Sequence, residues 1–193
     1  ADMRFVDTKN VPEDRTIASK VKEYEKFLKT ELDIVIGKTS TELDSRKKTV
    51  RTGEAAIGNL IADAMRDGVD ADIAIANGGG IRAKKIYAPG TSITRRDMLT
   101  EMPFGNVVVK LRLTGAQIWD ALENGVSQVE NNAGRFPQVS GLSFTYKKGV
   151  SKGSRIVSVK IGGQNLNKNR SYTVATNNYA AGGGDGYSVF KKG

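Results

Sequence analysis

The sequence predicts an α+β fold, shading into mixed α/β, and three observations predict it. Apolar residues at three- and four-residue spacing dominate the first part of the chain, short alternating or β-branched runs dominate the later part, and 193 residues suit one domain with room for an N-terminal extension.

In chain order, Met3-Arg4-Phe5-Val6-Asp7 reads as the end of a strand belonging to something upstream. Asn10 to Asp14 is a turn with helix-start chemistry, proline near the first turn and acids where the helix dipole favours them. Ile17, Val21, Tyr24, Leu28 and Leu32 then predict one amphipathic helix from residue 13 to about 32, with Lys20, Lys22, Glu23, Glu25, Lys26 and Lys29 opposite. A charged helix ahead of the main domain reads as a connector. Asp33 to Thr39 is a short β-branched strand, and the polar, basic stretch Glu42 to Arg51 reads as a loop. Glu54 to Arg66 carries Ile57, Leu60, Ile61, Ala64 and Met65, the pattern of a helix with one buried face. Ala71 to Ala76 is a strand running straight into a glycine turn at Asn77, and Thr94 with Asp97 predicts a capped helix reaching about Thr100. Val107 to Leu113 alternates as a strand, and Thr114-Gly115 opens a helix through Ile118, Trp119 and Leu122 to about Val126. A loop over Asn131 to Gln138 precedes three strands: Gly141–Lys147, Arg155–Ile161 and Ser171–Ala175. No internal repeat or low-complexity segment interrupts the series.

Composition narrows the chemistry. The chain has no histidine and no cysteine, which excludes disulfides, thiolate catalysis, Cys-zinc sites, Ser-His-Asp hydrolysis and any metal site built on histidine. No apolar run approaches the roughly 18–20 residues that span a bilayer, and the opening Ala1-Asp2-Met3-Arg4 is not a signal peptide. The net charge of +9 is uneven: residues 1–50 hold 11 basic against 10 acidic side chains, and residues 51–193 hold 19 against 11. That field would draw phosphates or nucleic acid, and it equally describes a solvated basic surface.

Three separated segments carry the binding chemistry: Asn77 to Arg82, Pro103 to Asn106, and Asn178 to Tyr187. Each sets bare glycine backbone beside an arginine, a ring or a carboxylate. Asn77-Gly78-Gly79-Gly80-Ile81-Arg82 follows a strand, where ligands of α/β sheets bind. It lacks the spacing of a Walker loop or a dinucleotide fingerprint, so its interest lies in the amide of Asn77 and the planar fork of Arg82. Phe104 and Tyr179 are each either core residues or the two faces of a slot for a flat base. Asp185 is the only acid in the last 63 residues and sits among glycines. It reads as an acceptor for a ribose diol or as an Asx-turn, with no second acid nearby to support calcium.

Taken together, Val50-Arg51, Ile57 to Ala64, Asn77 to Arg82, Pro103 to Asn106, Phe136 to Gly141 and Asn178 to Tyr187 resemble the C-terminal domain of the 5'-nucleotidase family, in that family's order. The resemblance implies layers of helices and mixed sheet over residues 33–193, a linker helix over residues 11–32, and a remnant of an upstream metallophosphoesterase domain in residues 1–10. It implies that Phe104 and Tyr179 clamp the base, that Asn77 bonds toward the base and that Asp185 holds the ribose hydroxyls. Arg51 and Arg82 would contact phosphate, while Asn106 and the glycines Gly79, Gly80 and Gly183 would shape the pocket. Tyr179 stands where the family often has phenylalanine, which keeps the ring. The family's two divalent metal ions and its catalytic residues would lie in the upstream domain, so this chain is expected to hold no cofactor and to hydrolyse nothing alone. The resemblance further implies an extracytoplasmic setting, a nucleotide or nucleoside ligand, and the metallophosphoesterase domain of the same polypeptide as partner. A basic nucleic-acid-binding or surface-interaction module is the competing reading, and nucleic acid is not the expected partner.

Overall fold

The computed structural model describes residues 9 and 11–193; the strand expected at Met3–Asp7 lies outside them. Helix α1 spans Arg15–Leu32, opened by Asp14, whose carboxylate accepts from the amides of Thr16 at 2.9 Å and Ile17 at 3.0 Å. None of its residues is buried, so the apolar stripe of Ile17, Val21, Tyr24 and Leu28 faces outward. Strand β1 (Val35–Lys38) follows, then β2 (Leu43–Asp44) and helix α2 (Lys47–Thr52).

These last two elements correct the loop expected over Glu42–Arg51. Asp44 organises the segment: it accepts from the Arg46 amide at 2.9 Å, the Arg46 guanidinium at 2.7 Å and the Thr49 hydroxyl at 2.7 Å. The Arg46 fork holds its carboxyl well below the usual carboxylate range, although burial opposes the shift. One apolar anchor, the fully buried Val50, ties the helix to the core, and a basic pattern around a single valine has no helical period to read.

Helix α3 (Ala56–Gly68) forms where expected and buries Ile57, Ile61 and Met65, but Leu60 and Ala64, read as part of that face, are exposed, with Gly58 and Ala62 buried instead; strand β3 (Ile73–Asn77) is buried throughout. A single 3₁₀ turn over Gly78–Gly80 leads on. Two short strands that the pattern did not announce, β4 (Ile86–Tyr87) and β5 (Ser92–Thr94), pair with β2 and β1 respectively. Helix α4 (Arg95–Glu101) begins with the capping box expected of Thr94 and Asp97. Strand β6 (Val108–Thr114) and helix α5 (Gly115–Val126) follow, α5 capped by Thr114 and Gln117. Strand β7 (Pro137–Ser140) claims the end of the expected loop. Then come β8 (Leu142–Tyr146), β9 (Ile156–Ile161), β10 (Gln164–Asn165), β11 (Ser171–Asn177) and the short helix α6 (Asn178–Ala181).

The central sheet is mixed, in the order β6-β11-β3-β7, with β11 and β3 parallel and both outer pairs antiparallel. Period two divides its side chains. Ile73, Ile75, Val174 and Leu113 face a core shared with α5 and the β8-β9-β10 sheet, through Ile118, Leu122, Phe136, Val159, Tyr187 and Phe190. Ala74, Ala76 and Ala175 face a second core with Val50, Ile57, Ile61 and Met65 from α2 and α3. The small residues on this side let α3 lie close to the sheet. Helices therefore cover both faces, and the layers meet at the edge where β3 and β11 end.

Candidate functional site

Register decides what gathers at that edge. Asn77 ends β3 opposite Pro137, the first residue of β7, and Asn177 ends β11 opposite Val108, the first residue of β6. The loop carrying Phe104 and Asn106 thus enters β6, and the loop carrying Gly134 enters β7, at the carboxyl ends of the two parallel strands. Ligands of α/β sheets bind outside such ends.

Arg51, Asn77, Gly79, Gly80, Arg82, Phe104, Asn106, Tyr179 and Asp185 line one cavity of about 430 Å³, together with Gly134. Nine of the ten residues expected at the site therefore meet. Gly183 does not line it: its φ of +89° makes the turn after α6, and a Cβ there would strike the Lys191 side chain at 2.5 Å.

The two rings are presented rather than packed, Phe104 being 58% and Tyr179 48% exposed. Phe104 carries the Arg82 guanidinium over its ring at 5.4 Å. Tyr179 rests a face on Gly184, where any Cβ would lie within 2.6 Å of three ring carbons, so only glycine can back the ring there.

Asp185 takes a left-handed conformation, φ +52°, which aspartate tolerates better than most residues. Its carboxylate accepts from the Asn77 amide at 2.7 Å and the Tyr179 hydroxyl at 3.4 Å, while the Asn124 side chain holds its carbonyl at 3.2 Å. Gly79 and Gly134 lie against it with no side chain of their own: a Cβ on either would come within 3.2 Å of Oδ2. Asn77, almost wholly buried, is itself oriented by Asn177, whose amide donates to Asn77 Oδ1 at 2.9 Å and whose own oxygen caps α6 through the Ala180 amide at 2.8 Å.

Arg51 reaches the cavity from the last turn of α2, and its Nη1 donates to the Asn132 carbonyl at 3.4 Å. Its Nε is buried with no hydrogen-bond partner. Burial pushes its pKa down, the positive charge of Arg82 pushes the same way, and Asp185 pushes back. Two guanidiniums that repel each other, one with a donor unspent, form a place where an anion relieves both penalties.

Arg82 is positioned by the fully buried Glu101. The Glu101 carbonyl accepts the Arg82 amide at 2.8 Å, and its carboxylate accepts the Ala83 amide at 3.1 Å. Glu101 also closes α4 just ahead of the Phe104 loop, so one residue sets the course of both segments. Sequence reasoning missed Gly134, Asn124, Asn177 and Glu101. Only the glycine left a trace, as a lone Gly inside the polar run Asn131 to Arg135.

Among the described residues, no three His, Cys, Asp or Glu side chains gather where they could hold a metal ion. Nor is any helix among them long and apolar enough to cross a membrane.

Comparison with known proteins gives a consistent picture. The family model described as "5'-nucleotidase, C-terminal domain" matches residues 35–192. The chain is 45% identical over 164 residues to the trifunctional nucleotide phosphoesterase protein YfkN of Bacillus subtilis, covering 80% of this chain and 11% of that protein. It is 33% identical over 184 residues to protein UshA of Escherichia coli, covering 95% of this chain and 32% of that one. The crystal structure of a 5'-nucleotidase precursor from Thermus thermophilus superposes with a TM-score of 0.82 at 38% identity, over 94% of this chain and 37% of that one. The chain thus spans about a third or less of the length of these relatives.

Proposed function

This chain belongs to the 5'-nucleotidase C-terminal domain family, and on that premise we propose that it is the substrate-binding part of a metal-dependent nucleotidase acting on nucleoside phosphate esters. One observation carries the reading. Two presented rings, a carboxylate and two guanidiniums, drawn from four distant stretches of chain, surround one cavity of nucleotide size.

In this reading the base stacks between Phe104 and Tyr179, Asn77 bonds toward the base, the ribose hydroxyls donate to Asp185, and Arg51 with Arg82 grip the phosphate. Gly79, Gly80 and Asn106 shape the walls. Binding energy spent on these remote contacts aligns the phosphate ester for hydrolysis elsewhere. Among the described residues no three His, Cys, Asp or Glu side chains gather that could hold the two divalent ions that the resemblance implies. We assign them to an upstream metallophosphoesterase domain of the same polypeptide, with residues 11–32 as the linker helix and residues 1–10 as a remnant of that domain. An extracytoplasmic location belongs to the same proposal. The parent enzyme would be a 5'-nucleotidase or a 2',3'-cyclic-nucleotide phosphodiesterase/3'-nucleotidase, two activities served by one binding domain.

Calorimetric titration of AMP into this chain tests the reading. Weak saturable binding is expected, lowered at least tenfold by Asp185→Ala. Equal heats for the two proteins would overturn it. Purified chain supplied with Mn²⁺ or Zn²⁺ is expected to release no phosphate from AMP, and measurable turnover would refute the assignment of chemistry to another domain.

A further inference from the structure

The Tyr179 hydroxyl makes a pair of contacts that a phenylalanine could not make. It donates to Asp185 Oδ1 at 3.4 Å and accepts from the Asp185 amide at 3.2 Å. The oxygen is therefore spent in both directions on one residue, which lies six positions further on. Between the two, the chain passes through Gly182, Gly183 and Gly184, a run with little stiffness of its own. The ring lies flat on Gly184. Side chain and loop thus close on each other, and the stacking ring and the carboxylate form one unit.

From this geometry we infer that the Tyr179 hydroxyl is a positioning group that makes the site select ribonucleotides over 2'-deoxyribonucleotides; the inference rests on the nucleotide reading above. Each Asp185 oxygen already has one internal donor, Asn77 Nδ2 on Oδ2 and the Tyr179 hydroxyl on Oδ1. Two donors on opposite oxygens fix the plane of the carboxylate, which one donor cannot do, because a single bond leaves rotation about the last side-chain torsion free. Asn77 does not wander, since Asn177 holds its amide in place. A carboxylate oxygen accepts about two hydrogen bonds, so one acceptor position remains on each oxygen of a carboxylate that lines the cavity, and the two residues closest to Oδ2 there, Gly79 and Gly134, carry no side chain. Two fixed acceptors side by side suit two vicinal hydroxyls. A ligand with one hydroxyl leaves one acceptor without its donor.

Titrations of AMP and 2'-deoxy-AMP into the wild-type chain and Tyr179→Phe decide the matter. The substitution keeps the ring and removes only the tether. Wild type is expected to prefer AMP by about tenfold, and Tyr179→Phe to reduce that preference by about 3- to 10-fold, the worth of one hydrogen bond. A merely structural hydroxyl would weaken both ligands alike and leave the ratio where it was. That result overturns the inference while leaving nucleotide binding intact. So does wild type binding the two ligands equally, a measurement that needs no variant. Failure of wild type to bind either ligand overturns the inference and the nucleotide reading together.

Discussion

Two carboxylates in this molecule each accept two hydrogen bonds, and they could hardly serve more different ends. Glu123, on the inner face of α5, takes the amides of Arg155 at 3.0 Å and Ile156 at 2.8 Å. Both donors are backbone groups at the start of β9, and the side chain is nearly sealed from solvent. Arg155 completes the seal, donating to the Val126 carbonyl at 2.7 Å and to Glu130 at 3.0 Å. Asp185 instead takes its donors from two side chains, and glycines flank it where bulk would close it off. A carboxylate held by backbone and covered by neighbours is a rivet between elements. One held by side chains at a positive φ, with an acceptor position left over on each oxygen, is the feature on which the proposed binding role rests.

That contrast makes three further predictions, in falling order of effect. Glu123→Ala strips two buried amides of their acceptor and is expected to cost about 3 kcal/mol of stability, read from urea unfolding. The folded fraction should still bind AMP, because both hydrogen bonds that Glu123 accepts come from the start of β9 and not from the cavity; loss of binding at full folding would show that rivet and site are not separate. Phe104→Ala should do the reverse. It removes an exposed ring from the cavity wall, so AMP affinity is expected to fall by about 1–3 kcal/mol with the unfolding midpoint nearly unchanged. A large drop in stability would place Phe104 in the core after all.

The smallest effect concerns Asp44, a third carboxylate, with both a backbone and a side-chain grip. Its pKa is lowered in the folded chain, chiefly by Arg46. The unfolded chain therefore binds this proton first as pH falls, and the stability Asp44 confers is fully present above about pH 4 and drains away below it, until pH passes the lowered folded pKa. Asp44→Asn should lower Tm by about 1–2 °C at pH 6 and by progressively less as pH falls below about 4. A difference of the same size at pH 6 and pH 2 would mean that the loss comes from packing and not from charge.

The legible parts of this molecule share a feature. The helices over residues 56–68 and 115–126 and the strand at 108–114 repeat their apolar residues at about 3.6 or 2, the strand at 73–77 is a short apolar run, and each signal is complete within thirteen residues. The capping boxes at Thr94 and Thr114 are likewise local, reaching three residues. The illegible parts are held from far away. α2 exists because Val50 is buried and because Gln138, from β7, donates to the Val50 carbonyl at 3.0 Å across a separation of 88 residues. β7 opens with a proline and lies in what reads locally as a polar loop; its partner β3 makes it a strand. The apolar stripe of α1 was read correctly as a pattern, yet no burial follows from it within this chain.

By itself the sequence determined the inventory: an α+β domain, a +9 charge, no histidine or cysteine, and a single late acid set among glycines. Those are properties of composition and short-range order, and no folding is needed to count them. Only the tertiary structure decided which of these residues meet and in what pose. Asn177 orients Asn77 across 100 residues, Asn77 grips Asp185 across 108, and Arg51 reaches Asn132 across 81. Such contacts have no periodicity and cost chain entropy that the buried sheet must first offset. They arise because β3 and β11 run parallel and end together, a register written in neither strand alone.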